Sequence, residues 1–381
     1  MSEYALNLAQ NLINKKSVTP EDDGAIALLI TELEKLGFNA ELMPFSEAGY
    51  PTIQNFYAKL GNSNKNLAFA GHTDVVPAGD ETKWHSPPFT ATIRDNKLYG
   101  RGAVDMKCAI TAYIGAVKTF LENNPNFNDS LSFIITGDEE DISINGTVKM
   151  VEELKQRNEQ ISLCIVGEPT NPGKIGEMLK IGRRGSVNFE LEVYGQQGHV
   201  AYPENALNPI TALVKLLNLL TDHQFDHGNE FFDPTNLEIT SFDVANPATN
   251  VIPETARAKF NIRFSSEYQS KDLIELITDT CARCLPKHNL TYKVSGESFY
   301  NNNREYASLV QHACEKVTGL NPVLSTTGGT SDARFIKDIC PTIECGLINK
   351  TAHQIDEHIA LADLEILEKI YLQIIEDFFK S

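Results

Sequence analysis

Two hydrophobic rhythms divide this chain. Leu6, Leu8 and Ile13 stand at helical spacing within residues 2–16, and Ile26, Leu29, Ile30, Leu33 and Leu36 carry a second helix. Ser17-Val18-Thr19-Pro20-Glu21 reads as the start of that helix, with Thr19 as N-cap and Pro20 in the first position, and Gly37 as its stop. Strand-like runs at 39–43, 55–60, 67–70, 131–136 and 161–166 then alternate with helical stretches at 106–122 and 147–157. Leu131-Ser132-Phe133-Ile134-Ile135-Thr136 and Leu163-Cys164-Ile165-Val166 lack clean polar alternation. That predicts strands buried on both faces, hence a layered α/β domain with a mixed sheet. In such sheets the loops after the strands' carboxyl ends converge on the ligand site.

Near residue 183 the rhythm changes. Val187, Phe189, Leu191 and Val193 alternate with Asn188, Glu190 and Glu192, and Ala256, Ala258, Phe260, Ile262 and Phe264 alternate with Arg257, Lys259, Asn261 and Arg263. Strict period two predicts strands with one buried and one open face, in an antiparallel sheet. Helical patterns at 208–220 and 270–285 accompany them. The expectation is an inserted two-layer α+β domain, 183–296, within a discontinuous first domain made of 1–182 and 297–381. The latter resumes with a helix at 305–318, the loop Thr327-Gly328-Gly329-Thr330-Ser331-Asp332, a strand at 342–346 and a terminal helix at 361–379.

Length and composition agree with two soluble domains: 381 residues, 41% hydrophobic and 22% charged. A formal net charge of -18 argues against nucleic acid or an anionic membrane as partner. No apolar run reaches the roughly 18–20 residues that span a bilayer, and MSEYALNLAQNLINKK lacks the form of a secretory signal. The seven cysteines, including the CARC pair Cys281 and Cys284, read as reduced thiols. A cytoplasmic protein is expected.

The candidate chemistry lies where strands end. His72-Thr73-Asp74 follows the apolar run 67–70, and Arg101-Gly102-Ala103-Val104-Asp105-Met106-Lys107 precedes a helical pattern. Asp138-Glu139-Glu140-Asp141 follows 131–136, Glu168 follows 161–166, and His353 follows the last strand. Taken singly, each acidic residue is what a solvated turn carries. Jointly, His72, Asp105, Glu140, Glu168 and His353 are side-chain types that bind divalent metals. Two imidazoles and three carboxylates exceed one tetrahedral site with an open position and suit two metals about 3.5–4 Å apart that share a carboxylate. Of the adjacent Glu139 and Glu140, one can face the metal while the other acts on water as general acid/base. Asp74 is positioned to hold the His72 ring from behind.

The segments GHTDVVP, GRGAVDMK, GDEE, GEPT, GRRGS, GHVAYP, NVIP and GGTSDARF, with the late histidine, together resemble the dinuclear zinc aminoacylase/carboxypeptidase metallohydrolase family. The likeness runs in order through nearly the whole chain. It implies two Zn2+ per subunit, replaceable by Co2+, with His72, Asp105 and Glu168 on one ion and His353, Asp105 and Glu140 on the other. Asp105 would bridge, Glu139 would be the general acid/base, and Asp74 would orient His72. The peptide Asp105–Met106 is expected to be cis. The resemblance also implies a homodimer formed through the inserted domain, with His199 reaching the neighbouring subunit's site to stabilise an oxyanion.

GRRGS and GGTSDARF narrow the implied reaction to hydrolysis of N-succinyl-LL-2,6-diaminopimelate to succinate and LL-2,6-diaminopimelate, in bacterial lysine and cell-wall precursor synthesis. Acetylornithine deacetylation or dipeptide cleavage is the alternative within the family, and a catalytically silent scaffold the alternative outside it. By resemblance Arg183, Ser186, Tyr202, Asn250, Arg263, Gly329, Thr330 and Arg334 contact substrate. In so acidic a protein arginines must gather locally to hold a polycarboxylate, and their planar fork suits carboxylates. Ala333 stands where a glycine is common in the subfamily's loop.

Overall fold

A computed structural model describes residues 2–380. The chain divides into two compact units. One runs to Gly182 and resumes over Asn301–Ser325 and from Ser331 onward; the other comprises Arg183–Tyr300 with Thr326–Thr330.

Among the described residues of the first unit, eight strands form one mixed sheet. Their spatial order is Asn39–Leu42, Phe56–Leu60, Ser130–Thr136, Asn66–His72, Leu163–Val166, Thr342–Glu344, Met178–Lys180 and Val323–Ser325. The four central strands run parallel, with His72 opposite Thr136 and Ala70 opposite Val166. Every residue of Ser130–Thr136 and of Leu163–Val166 is buried. Their unbroken apolar character therefore reflects cover on both sheet faces.

The helix Cys108–Asn123 is buried along most of its length and packs against the terminal helix Leu361–Lys380. Phe69 from the sheet, Tyr113 and Tyr371 join the layers, with ring centroids 4.4 Å apart for Phe69–Tyr113 and 5.3 Å for Tyr113–Tyr371. The Tyr371 hydroxyl donates to the Cys345 carbonyl at 2.6 Å, just beyond the strand that leads toward His353.

The helix expected to open at Thr19 begins instead at Ala25. Val18 forms a bridge with Val75, and the Asp22 carboxylate accepts the N–H groups of Gly24 at 2.9 Å and Ile26 at 3.0 Å. Asp22, not Thr19, satisfies the open helix end.

The second unit has an antiparallel sheet in the order Asn236–Asp243, Thr255–Phe264, Gly185–Tyr194 and His288–Gly296. Val187, Phe189, Leu191 and Val193 meet Ala256, Ala258, Phe260 and Ile262 on the buried face, under the helices Pro209–Thr221 and Ser270–Cys284. The unit extends to Tyr300, whose ring stacks on Phe231 at 4.7 Å. It also takes in the loop 326–330, held by the Thr326 hydroxyl donating to the Phe231 carbonyl and by Arg183 Nη1 donating to the Gly329 carbonyl at 3.1 Å. These contacts carry the unit past the expected boundary at 296. Cys281 is buried, Cys284 exposed, and both are free thiols. No helix among the described residues is long and apolar enough to cross a membrane.

Candidate metal centre

The parallel strands deliver their ends to one edge of the first unit's sheet. His72 closes its strand, buried, and the backbone N–H of Thr73 still donates to the Thr136 carbonyl at 2.9 Å. Glu139 and Glu140 follow three and four residues after Thr136, and Glu168 two residues after Val166. Gly71 and Gly167, just before His72 and Glu168, make room for Met106: a Cβ at either position would lie 2.6 Å from its methyl carbon. The missing side chains there leave the space in which the residue after Asp105 packs under the site.

Asp105 sits at the centre. Its Oδ1 lies 3.2 Å from His72 Nε2, and its Oδ2 lies 3.3 Å from His353 Nε2. One carboxylate thus offers one oxygen to each imidazole. Glu168 Oε1 approaches His72 Nε2 at 3.6 Å, and Glu140 Oε1 approaches His353 Nε2 at 3.0 Å. The donor atoms of His72, Asp105 and Glu140 fall within 4.8 Å of one another, as do those of His72, Glu139 and Glu168. Imidazoles and carboxylates converging on two adjacent points around a shared carboxylate are a donor set that fits a pair of divalent cations.

The electrostatics describe the same need. Burial, with the charges of neighbouring acids, pushes the Glu139 and Glu168 carboxyls well above the ordinary carboxylate range. Burial works against a charged His72, yet its hydrogen bond to Asp105 and the charges of Asp74, Glu168 and Asp105 hold its value well above ordinary. Hydrogen bonds to Asp105 and Glu140 raise His353 to about 10. Asp105, although burial opposes ionisation, is held below the carboxylate range by its hydrogen bonds to His353 and His72. Carboxyl groups and imidazoles crowded this closely hold protons where a divalent cation would take their place.

Asp74 stands against the far side of the His72 ring. His72 Nδ1 meets the backbone carbonyl of Asp74 at 3.0 Å, with the carboxylate Oδ1 at 3.6 Å. The carboxylate also accepts the N–H of Glu139 at 3.1 Å and of Glu140 at 3.0 Å. Asp74 is buried, which pushes its carboxyl up to about 6. Asp138 helps shape the same loop by accepting from Ser143, Ile144 and Asn145 at 2.9 to 3.2 Å.

The sequence reading missed Glu357. Fully buried, it accepts from Gly102 N (3.1 Å), Val104 N (2.8 Å), Asp105 N (3.2 Å) and Arg101 Nη1 (2.6 Å). Asp105 and Met106 consequently depart from helical geometry, and the helix expected from 106 starts at Cys108. The Asp105–Met106 peptide is cis. Arg101 Nη2 also donates to the His353 carbonyl at 3.3 Å. The acidic pair Asp356-Glu357, three and four residues after His353, was the available signal. Replacing Glu357 by Gln leaves Arg101 buried without its counter-charge, and unfolding of the metal-free protein should become easier by about 3–5 kcal/mol. A denaturant titration reading an unchanged midpoint would contradict that role.

Arg334 belongs to the first unit, with Nη2 3.9 Å from the buried Asp332 carboxylate. The other candidate substrate residues belong to the second unit and form three groups. His199 pairs with Val251 across a short antiparallel bridge, its ring centroid 5.6 Å from that of the exposed Tyr202, and Asn250 accepts from Val200 N at 3.1 Å. Arg183, Gly329 and Thr330 meet at the loop 326–330. Ser186 and Arg263 are direct cross-strand partners on the sheet.

Residues 68–377 match the profile of Peptidase family M20/M25/M40. Over 378 residues, covering 98% of each chain, this protein is 46% identical to the succinyl-diaminopimelate desuccinylase of Pelagibacter ubique. The fold superposes on an M20 family metallo-carboxypeptidase from Sulfolobus solfataricus with a TM-score of 0.82 at 19% identity, covering all of both chains. It also superposes on a dinuclear metal binding M20 peptidase from Bacillus subtilis with a TM-score of 0.68 at 14% identity, covering 98% of this chain and 97% of that one.

Proposed function

This chain belongs to peptidase family M20/M25/M40, and from that membership we propose that it converts N-succinyl-LL-2,6-diaminopimelate and water to succinate and LL-2,6-diaminopimelate. The relative at 46% identity bears the name of that activity and aligns over nearly its full length. The observation that carries the reading is Asp105, whose two oxygens serve two imidazoles, beside the paired Glu139 and Glu140.

In this reading His72, Asp105 and Glu168 hold one zinc ion, and His353, Asp105 and Glu140 hold the other; cobalt is an acceptable substitute. When bound, the ions polarise the amide carbonyl and lower the pKa of water. Glu139 takes the proton of the attacking water and delivers it to the departing amine nitrogen. Its position supports both steps: its backbone is gripped by Asp74, and its carboxylate stands within 4.8 Å of the donor atoms of His72 and Glu168. The homodimer, assembled through the second unit, would bring the partner subunit's His199 to donate to the charge developing on the carbonyl oxygen. Arg183, Ser186, Tyr202, Asn250, Arg263, Gly329, Thr330 and Arg334 would bind the carboxylates and polar groups of the substrate. Such an enzyme works on a small biosynthetic intermediate in the cytoplasm.

The test is turnover of N-succinyl-LL-2,6-diaminopimelate by chelator-treated protein, before and after zinc is returned. Activity should vanish with the metal and return with it. Efficient cleavage of N-acetylornithine or a dipeptide, with none of the succinylated substrate, would move the protein to another activity of its family.

A further inference from the structure

Glu139 and Glu140 lie on a stretch without regular structure, residues 137–146, between the strand that ends at Thr136 and the helix Thr147–Gln156. Holding a general base on such a stretch to within about 0.5 Å needs an anchor outside the site. The stretch is knitted partly to itself. Asp138 gathers the N–H groups of Ser143, Ile144 and Asn145, and the Ser143 hydroxyl donates to the Glu139 carbonyl at 2.9 Å. Ser143 takes a left-handed backbone, φ 58°, in making that turn. On the side of the metal centre, Asp74 holds the N–H groups of Glu139 and Glu140. The opposite side is held by Asn55.

Asn55 is fully buried and immediately precedes the strand Phe56–Leu60. That strand runs antiparallel to Ser130–Thr136, and the pairing of Phe56 with Ile135 brings Asn55 alongside Thr136. The two ends of its amide reach the two ends of the loop. Oδ1 accepts from the Thr136 hydroxyl at 2.7 Å and from Gly137 N at 3.3 Å, while Nδ2 donates to the Asn145 carbonyl at 2.9 Å. The Thr136 hydroxyl passes the restraint on by accepting from Asp138 N at 3.1 Å. Nδ2 also donates to the Met43 carbonyl at 3.1 Å, just beyond the strand Asn39–Leu42. The closure is tight. A Cβ on Gly146 would lie 2.4 Å from the Thr136 hydroxyl oxygen, and one on Gly137 would lie 2.9 Å from the Gln54 carbonyl oxygen.

We propose that Asn55 is a positioning residue for the reaction: by clasping both ends of the loop, it sets where the Glu139 carboxylate stands in the site. Its partners are backbone groups and one hydroxyl, so it acts on turnover through Glu139 rather than by touching substrate. An asparagine suits the place because one short side chain supplies an acceptor and two N–H donors, whereas a carboxylate of the same size supplies no donor. Each bond lost here leaves a buried backbone group unpaired, which the loop can relieve only by moving. The proposal rests on the reading of Glu139 as the general acid/base.

Full-length, zinc-loaded Asn55→Ala and the nearly isosteric Asn55→Asp are assayed with N-succinyl-LL-2,6-diaminopimelate, each alone and combined with Glu139→Gln. In each Asn55 variant kcat should fall about 10- to 100-fold, the scale of a base misplaced by about 1 Å, with KM changed less than about threefold. Rates are referred to folded protein of measured zinc content, so that lost stability is not counted as lost turnover. The decisive readout is the double-mutant cycle. In the Glu139→Gln background Asn55→Ala should cost almost nothing further in kcat, because an absent base cannot be misplaced. A residue that only stabilises the fold would cost the same factor in both backgrounds. Thr136→Val keeps the side-chain volume but removes the hydroxyl between Asn55 and Asp138 N; it should give a smaller fall in kcat with the same dependence on Glu139, and it carries the test if the Asn55 variants do not fold. Unchanged kcat in the folded variants, or an additive cycle while Glu139→Gln alone is slow, overturns the clasp and leaves the base standing. If Glu139→Gln alone is fully active, the base falls and the clasp falls with it. If the wild type cleaves another N-acyl amino acid in place of the succinylated one, the substrate assignment falls, and the same cycle on that compound decides the clasp.

Discussion

Glu139→Gln should leave the protein folded and metal-loaded while lowering turnover of N-succinyl-LL-2,6-diaminopimelate by about 10²–10⁴-fold, the range of a positioned general acid/base. Glutamine keeps the volume and the polar contacts of the side chain but cannot accept the water proton. The backbone position is set independently by Asp74, which grips the N–H groups of both glutamates. Elemental analysis alongside steady-state rates separates loss of the base from loss of the metal; full activity in the variant would remove Glu139 from the mechanism. The same variant probes the proposed dimer. Mixed with inactive His199→Ala subunits, it should restore activity, because a heterodimer contains one site with an intact Glu139 and an intact histidine from its neighbour. If mixing restores nothing, a His199 contribution across subunits is wrong.

Asp105→Ala should be the most damaging single change at the metal centre. Each of its oxygens faces a different imidazole, at 3.2 and 3.3 Å, so its removal strips a donor from both positions at once. Metal content is expected to fall from about two ions per subunit to fewer than one, and activity at least as far as in the Glu139 variant, about 10²–10⁴-fold or more. Glu140→Ala offers the control, since Glu140 Oε1 lies 3.0 Å from His353 Nε2 and in the proposed ligand set it serves a single ion, so its loss should spare the other. Equal metal loss in the two variants would show that Asp105 is not shared.

The sequence was most legible where burial is most complete. The strands Ser130–Thr136 and Leu163–Val166 are buried at every position, so their apolar runs could only be central strands, and the acids just beyond them marked the site. In the second unit the strands around Phe189 and Phe260 alternate cleanly because one face is covered and the other is not. Their outer neighbours Asn236–Asp243 and His288–Gly296 are largely exposed and carry no such rhythm. The five candidate ligands were legible by residue type and position. The groups that hold them were not. Glu357 works by accepting from three backbone N–H groups, and backbone donors leave no trace in side-chain spacing. The Asp74 carboxylate grips a loop sixty-five residues away, a partnership that only the parallel pairing of two strands creates. The shift of the second helix to Ala25 has the same origin, since the bridge between Val18 and Val75 links distant segments.

The metal-binding candidates all lie in the first unit, whereas most of the residues proposed to recognise substrate lie in the second. That division has an evolutionary consequence. If the proposed recognition residues hold substrate, substitutions on the open sheet face or around His199 would alter which acyl amino acid is accepted without disturbing the donors around Asp105. A lineage can therefore explore new substrates by drift and selection in one segment of the gene while the chemistry encoded by the rest stays under purifying constraint.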